Sequence, residues 1–333
     1  MVTRILVILD GAAEPVWPWP STLEEARMPA LDVLCDRGAV ARVATTPEGL
    51  HPGSEVGIPT LLGAPPSAPV DRGLIEAAAA GIDVPPGAAA YRIDLHHADG
   101  RRAVTAEALL LAPDLAGALP HHEVQHLKGH RFLAVGTERP EIASVAALDT
   151  YIWEAGAGLD GALDPGAVLV AAPGAASGCG RLLGATVVNP KGATGDVGSD
   201  LAAKAGAALH ALREGAHTVV VHVGGADEAA HHRDRLGKRA MLEAADTDVI
   251  GPLARAAAAY GAAIAVTSDH ATCVETGRHH GDPVPAVVAG PGVAPSGAVR
   301  LHERLVVRAP VWDGPFAPVP SPSSSSSSSE AWR

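Results

Sequence analysis

The chain has 333 residues, 47% of them apolar, 19% charged and 3% aromatic, with a formal net charge of −12. That acidic balance argues against broad binding to nucleic acid or to an anionic membrane, since both need a basic surface. It leaves room for a small anionic substrate held by a few local cations. Cys35, Cys179 and Cys273 are widely spaced and form no CxxC pair, which argues against a disulfide framework or a thiolate zinc site.

The N-terminal MVTRILVILDG carries an apolar run of strand length and lacks the features of a signal peptide. No apolar segment reaches the roughly 18 residues of a membrane span. The expectation is a reduced, cytoplasmic, soluble protein with no membrane partner. Ile5 to Leu9 reads as a buried strand ending in the turn Asp10-Gly11. A helix is predicted over Thr22 to Arg37, capped by Ser21 or Thr22, with Glu24 and Glu25 in its first turn and Gly38 at its end. Ala39 to Thr45 reads as a second strand. The Pro- and Gly-rich TPEGLHPGSEVGIPTLLGAPP is a shaped loop that opens a short helix near Ser54.

From about Asp71 to Arg181 the texture changes to Ala-rich helical pieces and polar, His-containing segments, and residues 71–181 are read as an inserted domain. A helix over Lys204 to Arg213, a strand over Thr218 to Val223 and a long helix from about Ala226 to Tyr260, with room for a break, come next. Ala262 to Thr267 and Val284 to Val288 complete the strands. Alternating strands and helices predict an α/β fold, a mainly parallel sheet flanked by helices. Residues 1–70 with 182–312 form that discontinuous domain, and 313–333 are a Ser- and Pro-rich tail expected to be disordered.

Asp10, Asp227 and Asp269 each fall at or just beyond the end of a predicted strand, the edge where open α/β sheets bind ligands. Asp227 and His231 lie four apart at the start of a helix and project from one face. Alone, that pair reads first as a capping Asp beside an exposed His. Asp269 and His270 are adjacent, and RHHGDPVP follows with His279 and Asp282. Oxygen and nitrogen donors without thiolates suit Mn, Zn, Co or Mg. Ser54, in PGSEVG, is either a helix cap or a nucleophile that a metal could activate.

Other motifs carry less. GCGRLLG (178–184) misses the dinucleotide spacing and reads as a turn into a strand. KGATGDVG (191–198) is no P-loop, because its lysine precedes the glycines. The doublets His96-His97 and His121-His122 read as surface neighbours.

Together, ILVILDGAAEP, STLEEARMPALDVLCDRGAVARV, PEGLHPGSEVGIPTLLGAPP, DRGLIEAAAAGIDV, GHR, KGATG, HVGGADEAAHH, AVTSDHATCVETGRHHGDPVP and VAGPGV resemble the archaeal-type cofactor-independent phosphoglycerate mutases of the alkaline phosphatase superfamily. The resemblance covers most of residues 4–293. It implies an alkaline phosphatase-like fold with an inserted α+β lid domain. It also implies two divalent metal ions, one held by Asp10, Ser54, Asp269 and His270, the other by Asp227, His231 and His279. Arg72, Arg92, His130 and Arg131 fall at positions that imply contacts to a small phosphorylated acid. Neither 2,3-bisphosphoglycerate nor a nucleotide is implied as cofactor, and the oligomeric state is left open. The implied reaction passes a phosphoryl group through Ser54 and returns it to a second hydroxyl; a metal-dependent phosphohydrolase and a non-catalytic metal-binding relative are the alternatives. The chain departs from the family pattern at Ile58, where Asn or His is usual, at Arg92-Ile93-Asp94, where Arg-Cys-Asn is usual, and mildly at Glu14, where Asp is usual.

Overall fold

The computed structural model describes residues 3–17, 19–312 and 314. The sequence-predicted disordered tail lies, apart from Gly314, outside the described residues. Two compact units are present: Ala68–Leu159 is one, and the chain on either side of it forms the other.

The first unit starts with β1 (Arg4–Leu9), buried from Ile5 onward. Helix α1 (Thr22–Glu25) is capped by Ser21, whose hydroxyl accepts from the Glu24 N–H at 3.1 Å. The single helix predicted over 22–37 is in fact two, because the chain leaves helical geometry at Ala26 and resumes as α2 (Pro29–Arg37). Pro29 is the cause. It has no N–H to give, and it holds Met28 outside the α region at φ −124°, ψ 67°. Strand β2 (Ala39–Val43) and helix α3 (Ser54–Leu61) follow.

The second unit opens with α4 (Arg72–Ala80), capped by Asp71, which accepts from the Leu74 N–H at 2.9 Å. It continues through β3 (Ala89–His96), α5 (Thr105–Ala118), β4 (Glu123–Lys128), β5 (Arg131–Gly136), β6 (Ser144–Val145) and β7 (Leu148–Ile152). Its strands pair antiparallel in the order β4-β5-β3-β7-β6. Ile93, Leu95, Phe132 and Ala134 pack against Ala108 and Leu115 of α5, so this α+β unit has a core of its own.

The chain rejoins the first unit earlier than predicted. An insertion ending at Arg181 was expected; the compact unit ends at Leu159. The reason is β8 (Val168–Val170), which pairs in parallel with two strands of the large sheet. Three residues among Gly, Ala and Pro leave too little pattern to announce a strand. Helix α6 (Ala175–Leu182) takes up most of GCGRLLG, which was read as a turn into a strand, and β9 (Thr186–Val188) comes after it. Then come α7 (Leu201–Arg213), β10 (Thr218–Val223), α8 (Ala226–His231), α9 (Arg235–Ala245) and, through a π-helical turn at 246–250, α10 (Gly251–Tyr260). The predicted long helix thus breaks after His231, where Arg233 takes a positive φ of 56°. Strands β11 (Ala263–Thr267), β12 (Ala271–Cys273), β13 (Arg278–His280) and β14 (Val284–Ala289), helix α11 (Glu303–Val306) and β15 (Val311–Trp312) complete the unit.

The large sheet has the order β15-β2-β14-β11-β1-β10-β8-β9, and only β14 runs against its neighbours. Val7, Ile8, Val219, Val220 and Val221 are wholly buried, each contributing about 2 kcal/mol by leaving water. This is the helix-covered parallel sheet that the apolar runs predicted. Among the described residues no helix is long and apolar enough to cross a membrane.

Candidate metal centre

Register places the chemistry. Leu9 of β1 pairs with Val223 of β10, and Ile8 pairs with Thr267 of β11, so three neighbouring parallel strands end level. Each is followed within four residues by an acid: Asp10, Asp227 and Asp269. Two glycines let them converge. A side chain on Gly11 (φ +57°) would place its Cβ 2.6 Å from both Asp227 Oδ1 and Thr272 Oγ1. A Cβ on Gly57 would fall 2.0 Å from the Asp269 carbonyl oxygen, so this glycine lets α3 press on that main chain and deliver Ser54.

Asp10, Asp269 and His270 form one group and Asp227, His231 and His279 another; within each, donor atoms lie within 4.8 Å of one another. Ser54 joins the first, its Oγ 3.4 Å from Asp10 Oδ1 and 3.3 Å from His270 Nε2. The structure therefore brings together all seven residues that the sequence and its resemblance singled out.

The imidazoles are aimed by their far nitrogens. His231 Nδ1 lies 2.9 Å from the Gly277 carbonyl and His279 Nδ1 3.1 Å from that of Pro52, so both donate there and turn Nε2 toward the cluster. Those two Nε2 atoms are 3.1 Å apart and lie 3.1 and 3.3 Å from Asp227 oxygens. Facing lone pairs repel unless a proton or cation lies between them.

The carboxylates show the same demand. Burial, and then the charges of Asp269 and Asp227, push Asp10 above the ordinary carboxylate range. Burial also works against Asp269, yet the charges of His270 and His222 draw it down to about 2. Burial opposes ionisation of Asp227 as well, but hydrogen bonds from His231 and His279 hold it well below its usual value. His270, despite burial, is raised to about 10 by Asp269 and Asp10. Asp269 Oδ2 and His222 Nε2 are buried without hydrogen-bond partners. Converging carboxylates, aimed Nε2 atoms and an orphaned carboxylate oxygen fit hard or borderline divalent cations.

Sequence reasoning passed over three residues here. His222 Nε2 lies 3.6 Å from Asp10 Oδ2 and 3.8 Å from Asp269 Oδ2; a histidine within the apolar run TVVVHV was the available sign. Buried Lys204 donates to the His222 carbonyl at 2.9 Å. Thr272 Oγ1 lies 2.6 Å from Asp227 Oδ1 and 3.1 Å from His270 Nδ1, contacts that only the fold creates.

The four expected substrate contacts cluster in the second unit around two carboxylates. Asp94 binds Arg92 through two bonds of 2.8 Å, accepts from Trp153 Nε1 at 2.9 Å and lies 3.7 Å from His130 Nε2. Glu76 pairs with Arg72 at 3.1 Å and Arg92 at 3.2 Å. Burial pushes Arg131 down to about 10, helped by the Arg92 charge, and its Nε is buried without a hydrogen-bond partner. The doublets remain minor: His97 meets Glu107 at 3.2 Å and His122 meets the Glu138 carbonyl at 2.8 Å. Of the departures, Ile58 is wholly buried, and Glu14 is buried beside Lys238 at 3.4 Å.

With this fold and this cluster, the chain belongs to the Metalloenzyme superfamily, whose family model matches residues 3–311. That membership and the two donor groups establish divalent-metal use. Among curated relatives, 2,3-bisphosphoglycerate-independent phosphoglycerate mutase 1 of Archaeoglobus fulgidus is 27% identical, over 85% of this chain and 88% of its own. Phosphoglycerate mutase 2 of the same kind from Methanothermobacter thermautotrophicus is 28% identical, over 92% and 94%. Among solved structures, the PH0037 protein from Pyrococcus horikoshii shares the fold with a TM-score of 0.78 at 22% identity, covering 92% of both chains. The cofactor-independent phosphoglycerate mutase of Thermoplasma acidophilum matches with a TM-score of 0.55 at 18% identity, over 91% of this chain and 93% of that one.

Proposed function

We propose that this chain is a phosphoglycerate mutase-like enzyme that moves a phosphoryl group between two hydroxyls of a small phosphorylated acid, with 2- and 3-phosphoglycerate as the leading pair. The observation that carries the reading is Ser54, whose hydroxyl enters the acid–imidazole cluster from the first turn of α3. Names of relatives along almost the whole chain support the substrate.

In this reading one divalent ion, Mn, Zn, Co or Mg, is held by Asp10, Ser54, Asp269 and His270, and a second by Asp227, His231 and His279. Bound there, such ions lower the pKa of the serine hydroxyl and neutralise charge on the phosphoryl oxygens. Ser54 Oγ attacks phosphorus, the bond from phosphorus to the substrate oxygen breaks, and a phosphoserine forms. The glycerate reorients, and its other hydroxyl takes the phosphoryl group back, restoring Ser54. Arg72, Arg92, His130 and Arg131 are assigned to the substrate's anionic oxygens. Incubating the metal-loaded protein with 3-phosphoglycerate tests the reading: 2-phosphoglycerate is expected, and the absence of both 2-phosphoglycerate and inorganic phosphate would rule out this substrate and point to a different one.

One observation favours a second reading. Asp94 occupies the fork of Arg92, and Ile58 offers no hydrogen bond where the resembling family has a polar residue. Both reduce the capacity to hold a second anionic group, which suits a phosphohydrolase acting on a less charged phosphate ester or phosphonate. Release of inorganic phosphate in the same assay is its mark.

A further inference from the structure

The two donor groups are joined by one side chain. Thr272 is wholly buried in β12, between His270 and the turn leading to His279. Its Oγ1 stands 2.6 Å from Asp227 Oδ1 in one group and 3.1 Å from His270 Nδ1 in the other. A hydroxyl has one hydrogen to give, and an ionised carboxylate only accepts. At 2.6 Å the proton must therefore lie toward Asp227, because two acceptors at that distance would repel. Oγ1 is then an acceptor for His270, whose Nδ1 must carry hydrogen. Nε2, 3.3 Å from Ser54 Oγ and 3.4 Å from Asp10 Oδ1, is therefore the nitrogen that gives up its proton and turns a lone pair to the cluster when a cation takes its place.

For His231 and His279 the same task falls to main-chain carbonyls. His270 alone of the three depends on a side chain, and that side chain also holds a residue of the other group. Thr272 has little freedom to do otherwise. Its N–H donates to the Ala13 carbonyl at 2.8 Å, its own carbonyl accepts from Lys238 Nζ at 2.8 Å, and it pairs across the hairpin with His279. Gly11 keeps the space beside the hydroxyl clear.

We propose that Thr272 is a positioning residue that couples the two cation sites, fixing the tautomer of His270 while orienting Asp227. The proposal rests on the reading that the two groups hold divalent ions, and the test separates the two ideas. Metal-free wild type, Thr272→Val and Thr272→Ser are titrated with Co(II) by calorimetry, and the visible spectrum of each loaded protein is recorded. Wild type taking up two ions supports the metal reading; one or none refutes it, and the coupling with it. Given two ions, valine, which keeps the shape without the hydroxyl, should weaken both binding steps by roughly 10–100-fold and alter the cobalt spectrum. Serine should bind within about threefold of wild type, since it keeps the hydroxyl that aims the ligands. Two wild-type binding steps in the valine variant, weakening confined to one step, or a serine variant as weak as valine would overturn the coupling. Should valine prevent folding, nitrogen NMR of histidine in the zinc-loaded wild type decides it. The proposal requires hydrogen on Nδ1 of His270 and a metal-bound Nε2, and the reverse assignment overturns it.

Discussion

The molecule carries two dense knots of buried charge, and they are built on opposite principles. At the strand ends of the first unit, Asp10, Asp227 and Asp269 converge on one another, and Asp10 is pushed up by burial and by its two acidic neighbours. In the second unit Asp94 is more fully buried, yet it is held far below the ordinary carboxylate range. Burial opposes that, and the neighbouring His130 together with hydrogen bonds from Arg92 and Trp153 overcomes it. Burial pushes both aspartates up, and their neighbours decide that they shift in opposite directions. The first knot leaves Asp269 Oδ2 and His222 Nε2 without hydrogen-bond partners and calls for cations; in the second, guanidinium groups already answer both carboxylates and the atom left without a hydrogen bond is cationic, Arg131 Nε. A set of charges that needs a ligand is recognised by what it leaves unpaired.

Removing Ser54 should break the first knot's chemistry and nothing else. Ser54→Ala is expected to lower phosphoryl transfer by on the order of 10⁵-fold while retaining bound metal, checked by a product assay beside metal analysis. Activity retained in that variant would remove Ser54 from the mechanism. In the second knot the expected loss is in stability. Asp94→Asn leaves the buried Arg92 guanidinium with only Glu76, which it shares with Arg72, and should cost about 3 kcal/mol in urea unfolding, with metal uptake unchanged. The pH dependence follows the same logic. A carboxyl with a depressed folded-state pKa adds stability that is fully present above its unfolded value of 3.8 and is lost as pH falls toward the folded value. The wild type should thus lose stability more steeply than Asp94→Asn below about pH 4. If the two unfolding curves run parallel in acid, the pairing of Asp94 contributes nothing.

Adding metal sharpens the contrast from the other side. At a concentration about 100 times its Kd, an ion bound only to the folded chain should stabilise by about 2.7 kcal/mol. Calorimetric melting with and without Mn(II) checks this, and an unchanged melting temperature would argue against binding. The smallest effect is expected from His222→Asn, which withdraws a donor aimed at two carboxylates and should weaken metal binding by roughly tenfold. Unchanged affinity would make His222 a filler of the strand end.

Much of the first knot was readable because its residues obey local rules. Asp10 and Asp269 end apolar runs, and Asp227 and His231 share one helix face by spacing alone. The contacts of Thr272 were hidden, since they depend on the register of β12 against β13 and on β10 and β11 taking places on either side of β1, over 200 residues earlier in sequence. The pairing of Arg92 with Asp94 was half visible: residues two apart on a strand share a face. Its other members, Glu76 on α4 and Trp153 after β7, are brought in only by the tertiary fold. Pro29 stood in plain sight inside a helical pattern, and its local restriction outweighed the periodicity. The early return at β8 was not legible, because three residues gain strand geometry only from their neighbours in the sheet.

The central claim is that Ser54 carries the phosphoryl group between donor and acceptor. Acid quenching of the metal-loaded protein during turnover, followed by peptide mass spectrometry, tests it most directly. Phosphate on the Ser54 peptide, absent from Ser54→Ala, is the expected result. Product formation with that peptide unmodified, or phosphate carried on another residue, would contradict it.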